Sequence, residues 1–153
     1  MITYRITFNT QAVQALFARM KGDAKQASSL VLERTGKKIV ANTQENYLTG
    51  QVLKVRTGRL RGSLYSHVVG GDRLKIGASV VYAAIHEFGG IIVPRRAKWL
   101  MFRIGGRWIR TKKVTMPKRP YLSRAISEFF DSGEAQRLGE ETLHELAGRA
   151  ERG

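Results

Sequence analysis

The sequence contains no cysteine and only three prolines among its 153 residues. The absence of cysteine excludes disulfide bonds and thiolate metal sites, and a reducing compartment is the natural expectation. No stretch approaches the roughly 20 apolar residues that a membrane-spanning helix requires. The first twenty residues lack the uninterrupted apolar run of a signal peptide. The sequence therefore predicts a protein that is cytosolic where it is made and does not enter a membrane.

Acidic residues are scarce in the middle of the chain. Residues 51–124 carry seventeen Lys and Arg residues against Asp72 and Glu87 alone, a net charge of +15. Residues 1–50 have a net charge of +4 and residues 125–153 a net charge of −4, so the whole chain is also at +15. A basic centre beside an acidic end suggests contact with nucleic acid, or docking to an acidic surface such as that of a neighbouring copy.

Constellations for catalysis or metal binding are also missing. His86 and Glu87 are adjacent, but neighbours on a helix point about 100° apart, and no HExxH spacing follows. The other two histidines, His67 and His144, have no ligand-like neighbours in the sequence. The glycine pair at 105–106 lacks the spacing of a phosphate-binding loop. The sequence thus predicts no catalytic residue, no metal site and no cofactor, and the protein is not expected to be an enzyme.

The sequence does contain enough apolar residues for one ordinary domain. A chain of this length, with 42% hydrophobic residues, can bury a stable core without disulfide bonds. We expect a single domain over residues 1–153. Residues 1–22 are a possible N-terminal addition, and residues 131–153 are expected to form an acidic C-terminal helix.

The N-terminal half is expected to be mainly helical. Alternating apolar residues from Ile2 to Phe8 predict a strand with one buried face. A short helix is expected over Gln11–Met20, and a long helical pattern runs from Asp23 to about Leu48. Gly36 lies inside that pattern, where a kink or break is possible.

The second half alternates hairpins and helices. Two hairpins are predicted, Ser63–Val69 with Arg73–Ser79 and Trp99–Ile104 with Arg107–Met116, each turning at a glycine pair. The other predicted elements are a short turn of helix after Thr57, a helix at Val80–Phe88, a loop at Ile91–Lys98, and helices at Tyr121–Phe130 and Glu134–Ala150. The fold class is α+β: an antiparallel sheet, built from the two hairpins and the N-terminal strand, packed against the long helix and the C-terminal helices.

The two faces of the second hairpin differ in composition. The predicted register gives one apolar face, expected to join the core, made of Leu100, Phe102, Ile104 and Ile109. We call the opposite set the contact face: Trp99, Met101, Arg103, Trp108, Arg110 and Lys112. Trp and Arg are enriched at protein–protein contacts, which is the favoured interpretation. Stacking of Trp on Arg at a solvated surface is the second interpretation, and contact with nucleic acid through phosphates and stacking is the third.

Three short motifs resemble the virion-morphogenesis and tail-completion families of long-tailed phages. They are RTGRLRGSL at 56–64, VYAAIHEFGG at 81–90 and MPKRPYLSRAI at 116–126, in the order typical of those families. The resemblance covers roughly residues 25–130, and the motifs have a structural character, with glycines for turns and prolines for a rigid corner. The matching residues are Gly58, Leu60, Tyr82, His86, Phe88, Gly89, Gly90, Pro117, Arg119, Pro120, Tyr121 and Leu122.

This resemblance implies a structural virion protein that completes the tail and helps to join it to the head. The implied partners are copies of itself in a ring, a hexamer if it follows the sixfold symmetry of tails, together with other tail or head–tail connector proteins. The implied location is the tail or neck of the virion. A basic lumen would touch passing DNA without reading its sequence. The alternative to the virion role is a protein that binds nucleic acid without sequence specificity through the basic centre.

Overall fold

The computed structural model describes residues 1–7, 24–50, 52–53, 57–150 and 152. Its helices and antiparallel strands confirm the α+β class. The strands are β1 (Ile2–Thr7), β2 (Leu64–Val69), β3 (Arg73–Ala78), β4 (Gly90–Ile92), β5 (Leu100–Ile104), β6 (Arg107–Thr111) and β7 (Val114–Met116). The helices are α1 (Ala24–Asn46), α2 (Arg59–Gly62), α3 (Ala83–Phe88), α4 (Leu122–Asp131) and α5 (Glu134–Ala150).

The strands belong to three sheets, which corrects the single sheet predicted from the sequence. The first hairpin and β1 form a three-stranded sheet in the order β1–β3–β2. The second hairpin, β5–β6, is a separate two-stranded sheet, and β4 pairs with β7 in another. Sequence periodicity reveals which residues form strands, but it does not show which hairpins share an edge.

The three-stranded sheet carries the core. Its centre is β3, which pairs antiparallel with β1 on one side and with β2 on the other. The turn at Gly70 and Gly71 has positive φ at both residues, and it sets the register that was predicted for this hairpin. Leu74, Ile76 and Ala78 are fully buried, so one face of β3 forms part of the core.

The long helix α1 packs across this sheet and continues unbroken through Gly36. A Cβ atom built on Gly36 would lie 2.8 Å from both Ser66 Cβ and Leu74 Cδ1, which is closer than real Cβ contacts come. The glycine therefore marks the point where helix and sheet approach most closely, rather than a kink. Leu32 and Ile39, one helical turn to either side, are fully buried against the same layer.

The C-terminal helices α4 and α5 lie at the predicted positions and pack on α1. Phe129 of α4 is buried in the core. Two ion pairs join α1 to α5: Arg34 Nη1 is 2.7 Å from Glu145 Oε2, and Lys38 Nζ is 3.4 Å from Glu134 Oε1.

Several predicted boundaries are corrected. The helix expected from Val80 begins at Ala83, and the expected loop at 91–98 opens with the end of strand β4. The strand expected over 107–116 divides into β6 and β7 around Lys112 and Lys113. The helical turn α2 has Gly58 as its N-cap, with φ of 68°, instead of Thr57. The short helix predicted at 11–20 lies outside the described residues.

The β5–β6 hairpin, which we call the arm, does not join the core as predicted. Its register is as expected, with Ile104 opposite Arg107 and Phe102 opposite Ile109. However, Ile104 is 60% exposed, and Phe102 and Ile109 are only partly buried. Burial depends on which element covers a face, and alternation within a strand does not contain that information.

Candidate functional site

The carboxylate of Glu87 joins the second and third sequence motifs, and the side chain is fully buried. Oε2 accepts hydrogen bonds from the backbone N–H groups of Tyr121 and Leu122, at 2.9 and 3.0 Å. Oε1 accepts from the N–H of Ser123 at 2.8 Å and from the Tyr4 hydroxyl at 3.0 Å. The first N–H groups of a helix have no acceptor within it. Glu87 thus caps α4 from a different helix.

Hydrogen bonding keeps this buried carboxylate charged. Burial alone would raise the pKa of Glu87, but hydrogen bonds from the Ser123 side chain and from the three N–H groups outweigh burial and lower the pKa. A negative charge at this end of α4 is also favoured by the helix dipole. Burial and the nearby Glu87 carboxylate raise the pKa of Tyr4 to about 12, so its hydroxyl remains a donor. These hydrogen bonds together compensate one buried charge.

Further backbone contacts hold the second and third motifs together. We call this contact, between residues 86–90 and residues 116–123, the joint. The Arg119 N–H donates to the His86 carbonyl at 2.9 Å, and Gly90 pairs with Met116 in the β4–β7 sheet. Gly89 has φ of 71°, and a Cβ on it would lie 2.7 Å from the backbone nitrogen of Lys118. Only glycine satisfies both the backbone angle and the space here. The motif glycines thus allow α3 to dock on the chain that precedes α4.

The remaining motif residues support this arrangement. The Tyr82 and His86 rings meet edge to face, with centroids 5.9 Å apart. Burial, with a contribution from the positive charge of Arg119, lowers the pKa of His86 and favours the neutral ring at pH 7. Leu60 packs on the core from α2. Pro117 and Pro120 lie in the extended stretch between β7 and α4, and Tyr121 and Leu122 are fully buried.

The arm brings the residues of the contact face together. Trp99 lies beneath two cations, with the Arg110 guanidinium 4.3 Å and the Lys112 ammonium 5.2 Å from the ring centroid. Trp108 is 69% exposed and lies opposite Arg103. The Arg103 Nε donates to the Gly106 carbonyl at 2.9 Å, which holds its guanidinium at the turn. Met101 is also exposed, so the face presents a large apolar and cationic surface to solvent.

A second exposed feature begins at the joint and was not recognised in the sequence. Four apolar residues between positions 88 and 93, which we call the apolar segment, are exposed: Phe88, Ile91, Ile92 and Val93. Phe88 is 56% and Ile91 is 62% exposed. Several large apolar residues exposed within six positions are typical of an interaction surface rather than of an isolated monomer.

The described residues contain no group of three or more His, Asp or Glu side chains that could hold a metal ion. None of the helices in the described ranges is long and apolar enough to cross a membrane.

A family model for phage virion morphogenesis matches residues 33–146, well over half of the chain. The chain belongs to the phage virion morphogenesis family. The suspected relationship is confirmed, and it assigns to this virion-morphogenesis protein a structural or assembly role in a virion-associated location. The family is typically structural rather than enzymatic. No curated protein and no solved structure is significantly similar to the chain.

Sequence reasoning on this virion-morphogenesis protein missed the role of Glu87. The available signal was its rarity, since Glu87 and Asp72 are the only acids in residues 51–124. An acid retained within a strongly basic region, in a short helix rich in apolar residues, could have suggested a buried, paired carboxylate. Its backbone partners follow 34 to 36 residues later, and only the tertiary structure identifies them.

Proposed function

We propose that this virion-morphogenesis protein completes the phage tail and helps to join it to the head. It acts by assembling into a ring of identical copies, a hexamer where it meets a sixfold tail, and by contacting tail or connector proteins. The observation that carries the proposal is the exposed apolar segment, which projects from the rigid joint between the family motifs. Removing such side chains from water on contact with another protein is favourable, at about 25 cal/mol per Å².

The joint makes the apolar segment suitable for assembly. Gly89 and Gly90 are tied to the chain around Met116, and Glu87 ties α3 to α4. A surface that is ordered before binding loses less conformational entropy on association than a mobile one. A ring forms when one such surface binds a different surface on the next copy, and when repeating the rotation between neighbouring copies completes a full turn.

Genetic removal tests the role in the virion. In a phage that lacks this gene, we expect full heads and separate tails by electron microscopy, and restoration of joined particles by the wild-type gene. Normal particles from the deletion phage would contradict the proposal. A tail-length defect without separation from the head would restrict the role to tail completion.

Ile91→Glu tests self-assembly through the apolar segment. The substitution places a charge where a partner would bury an alkyl side chain, so we expect the variant to sediment as a monomer and to fail in complementation. Gln136→Glu on α5 is the control, because it also adds one negative charge at an exposed position. Sedimentation velocity with purified tail tubes present and absent is the measurement. A wild-type protein that stays monomeric in both conditions would refute assembly into a ring.

A further inference from the structure

The arm lies in a segment that carries only positive charge. From residue 88 to residue 127 the sequence contains no Asp or Glu, the last acid before it being Glu87 and the next being Glu128. Neither of these is available to the arm, because Glu87 is buried beneath α4 and Glu128 is paired with Arg124 and Tyr47.

The cations of this segment are exposed, and all of them except Arg124 lack acidic partners among the described residues. The ion pairs of the described chain involve Arg34, Lys37, Lys38, Arg73, Arg124 and Arg149. Ten other cations on and around the arm are exposed and form no ion pair: Arg95, Arg96, Lys98, Arg103, Arg107, Arg110, Lys112, Lys113, Lys118 and Arg119. Such a concentration of like charge is unfavourable until a partner of opposite charge neutralises it.

The described residues of a second copy offer few free acids to act as that partner. Among the described acids, only Glu45, Asp131, Glu140 and Glu141 have carboxylates without an ion pair or hydrogen bond. The other acids of α5 are already paired, as in the contacts of Glu134 with Lys38 and of Glu145 with Arg34 and Arg149. Since each copy carries a net charge of +15, a ring would also accumulate charge as it grows. A polyanion would neutralise the ten cations more completely than the four free acids among the described residues of a second copy.

We propose that the arm binds duplex DNA through its phosphates, without reading base sequence. A two-stranded antiparallel ribbon has the dimensions to enter a groove about 12 Å wide, with its strands about 5 Å apart. Arg103 and Arg107 flank the turn, and Arg110 and Lys112 are held over Trp99. Guanidinium groups in a fixed geometry suit phosphate oxygens, and the exposed Trp108 ring packs on the sugars between them.

This inference is independent of the proposed function, because it concerns the purified protein and DNA alone. The protein could join heads to tails without touching DNA, or bind DNA without forming a ring. A gene-deletion phenotype and a DNA-binding isotherm therefore succeed or fail separately.

The test compares two triple variants that lose the same charge. Arg103→Gln, Arg107→Gln and Arg110→Gln together remove three cations from the arm. Arg5→Gln, Arg59→Gln and Arg61→Gln together remove three exposed cations that lie outside it and form no ion pair. Binding to fluorescent duplexes of about 30 base pairs, in two unrelated sequences, is followed by anisotropy as NaCl is raised.

For the wild type, we expect equal affinity for both duplexes and a linear fall of log K with log[NaCl]. The arm variant should bind at least about tenfold more weakly, with a slope shallower by about 2.7, because three phosphate contacts release fewer counterions. The control variant should remain within about threefold of the wild type and retain its slope.

Other outcomes would overturn the assignment. The proposal would be refuted if the protein did not bind duplex DNA at low salt. It would also be refuted if the arm variant and the control variant lost affinity equally. Polyglutamate that competes as well as DNA at equal charge would instead identify an acidic protein as the partner. The unfolding midpoints of both variants, measured by circular dichroism, exclude misfolding as the cause, since all six side chains are exposed.

Discussion

Glu87 is the residue on which the joint between α3 and α4 depends. We expect Glu87→Gln to lower the free energy of unfolding by about 2–4 kcal/mol, because an amide offers one acceptor atom where the carboxylate offers two, and directs an N–H₂ group at backbone donors. Chemical denaturation at pH 7 measures the effect. Glu141→Gln, at an exposed acid without an ion pair, is the control and should change stability little. Equal stability of the two variants would contradict the role of Glu87.

The same carboxylate predicts a dependence on pH. The pKa of Glu87 is lowered in the folded protein below its ordinary value of 4.5. A lowered pKa contributes stability that is fully present above the ordinary value and is lost as the pH falls through the folded value. The stability difference between wild type and Glu87→Gln should therefore be constant from pH 7 to about pH 5 and shrink below pH 4.5. A difference that does not change with pH would contradict this.

Gly36 is expected to resist substitution by alanine, although alanine is the better helix former. The new Cβ would meet Ser66 and Leu74 at 2.8 Å, and overpacking of this kind costs about 1–3 kcal/mol, more than the roughly 1 kcal/mol gained in helix propensity. Gly139→Ala on α5 is the matched control: its nearest neighbour, a methyl group of Val31, is 4.0 Å away, and it should stabilise the protein. Thermal unfolding measures both variants. An unfolding midpoint of Gly36→Ala equal to that of the wild type would contradict this prediction, because it would show that the helix can move away from the sheet without a loss of stability.

At the scale of elements, the arm is expected to contribute little to stability. Trp108→Ala removes a side chain that is 69% exposed, so the free energy of unfolding should change by less than about 0.5 kcal/mol. Leu74→Ala in β3 removes a fully buried side chain and should cost about 2–5 kcal/mol. Urea denaturation of the two variants tests this contrast. A large loss for Trp108→Ala would indicate that the arm packs on the body of the protein.

The sequence was informative about elements whose signals are local. Period-2 alternation identified β1, glycine pairs identified both hairpin turns and their registers, and the C-terminal helices were found close to their observed bounds. The assignment of the strands to three sheets could not be predicted, because pairing between β4 and β7 joins segments more than twenty residues apart. The exposure of the apolar segment could not be predicted for the same reason, because the burial of a side chain depends on neighbours that local patterns do not specify.

At the scale of the whole molecule, the net charge of +15 should oppose compaction. Raising NaCl from about 20 to about 300 mM screens this repulsion, so we expect the unfolding midpoint to rise by about 2–5 °C. The arm variant with three fewer cations should show a smaller rise. Differential scanning calorimetry at pH 7 is the measurement. A midpoint that falls with salt would mean that the six surface ion pairs of the described residues outweigh the repulsion.

The family could be predicted from sequence because the three motifs are short, occur in a fixed order and are anchored by glycine and proline. The register of the arm could also be predicted, because a hairpin register follows from its turn, and this register places the residues of the contact face side by side. The cap on α4 could not be identified, because the donors of a carboxylate depend on the tertiary arrangement. The motif positions around Glu87 indicate a family, and only their contacts explain what those positions do.

The four partners of Glu87 also affect the order in which the protein can fold during its synthesis. Tyr4 leaves the ribosome first, Glu87 much later, and the N–H groups of Tyr121 to Ser123 later still. Until those groups emerge, enclosing the carboxylate would bury a charge that is largely uncompensated. The pocket around Glu87 is therefore expected to close only after the first residues of α4 have left the ribosome, so a chain truncated before α4 should leave this carboxylate open to solvent.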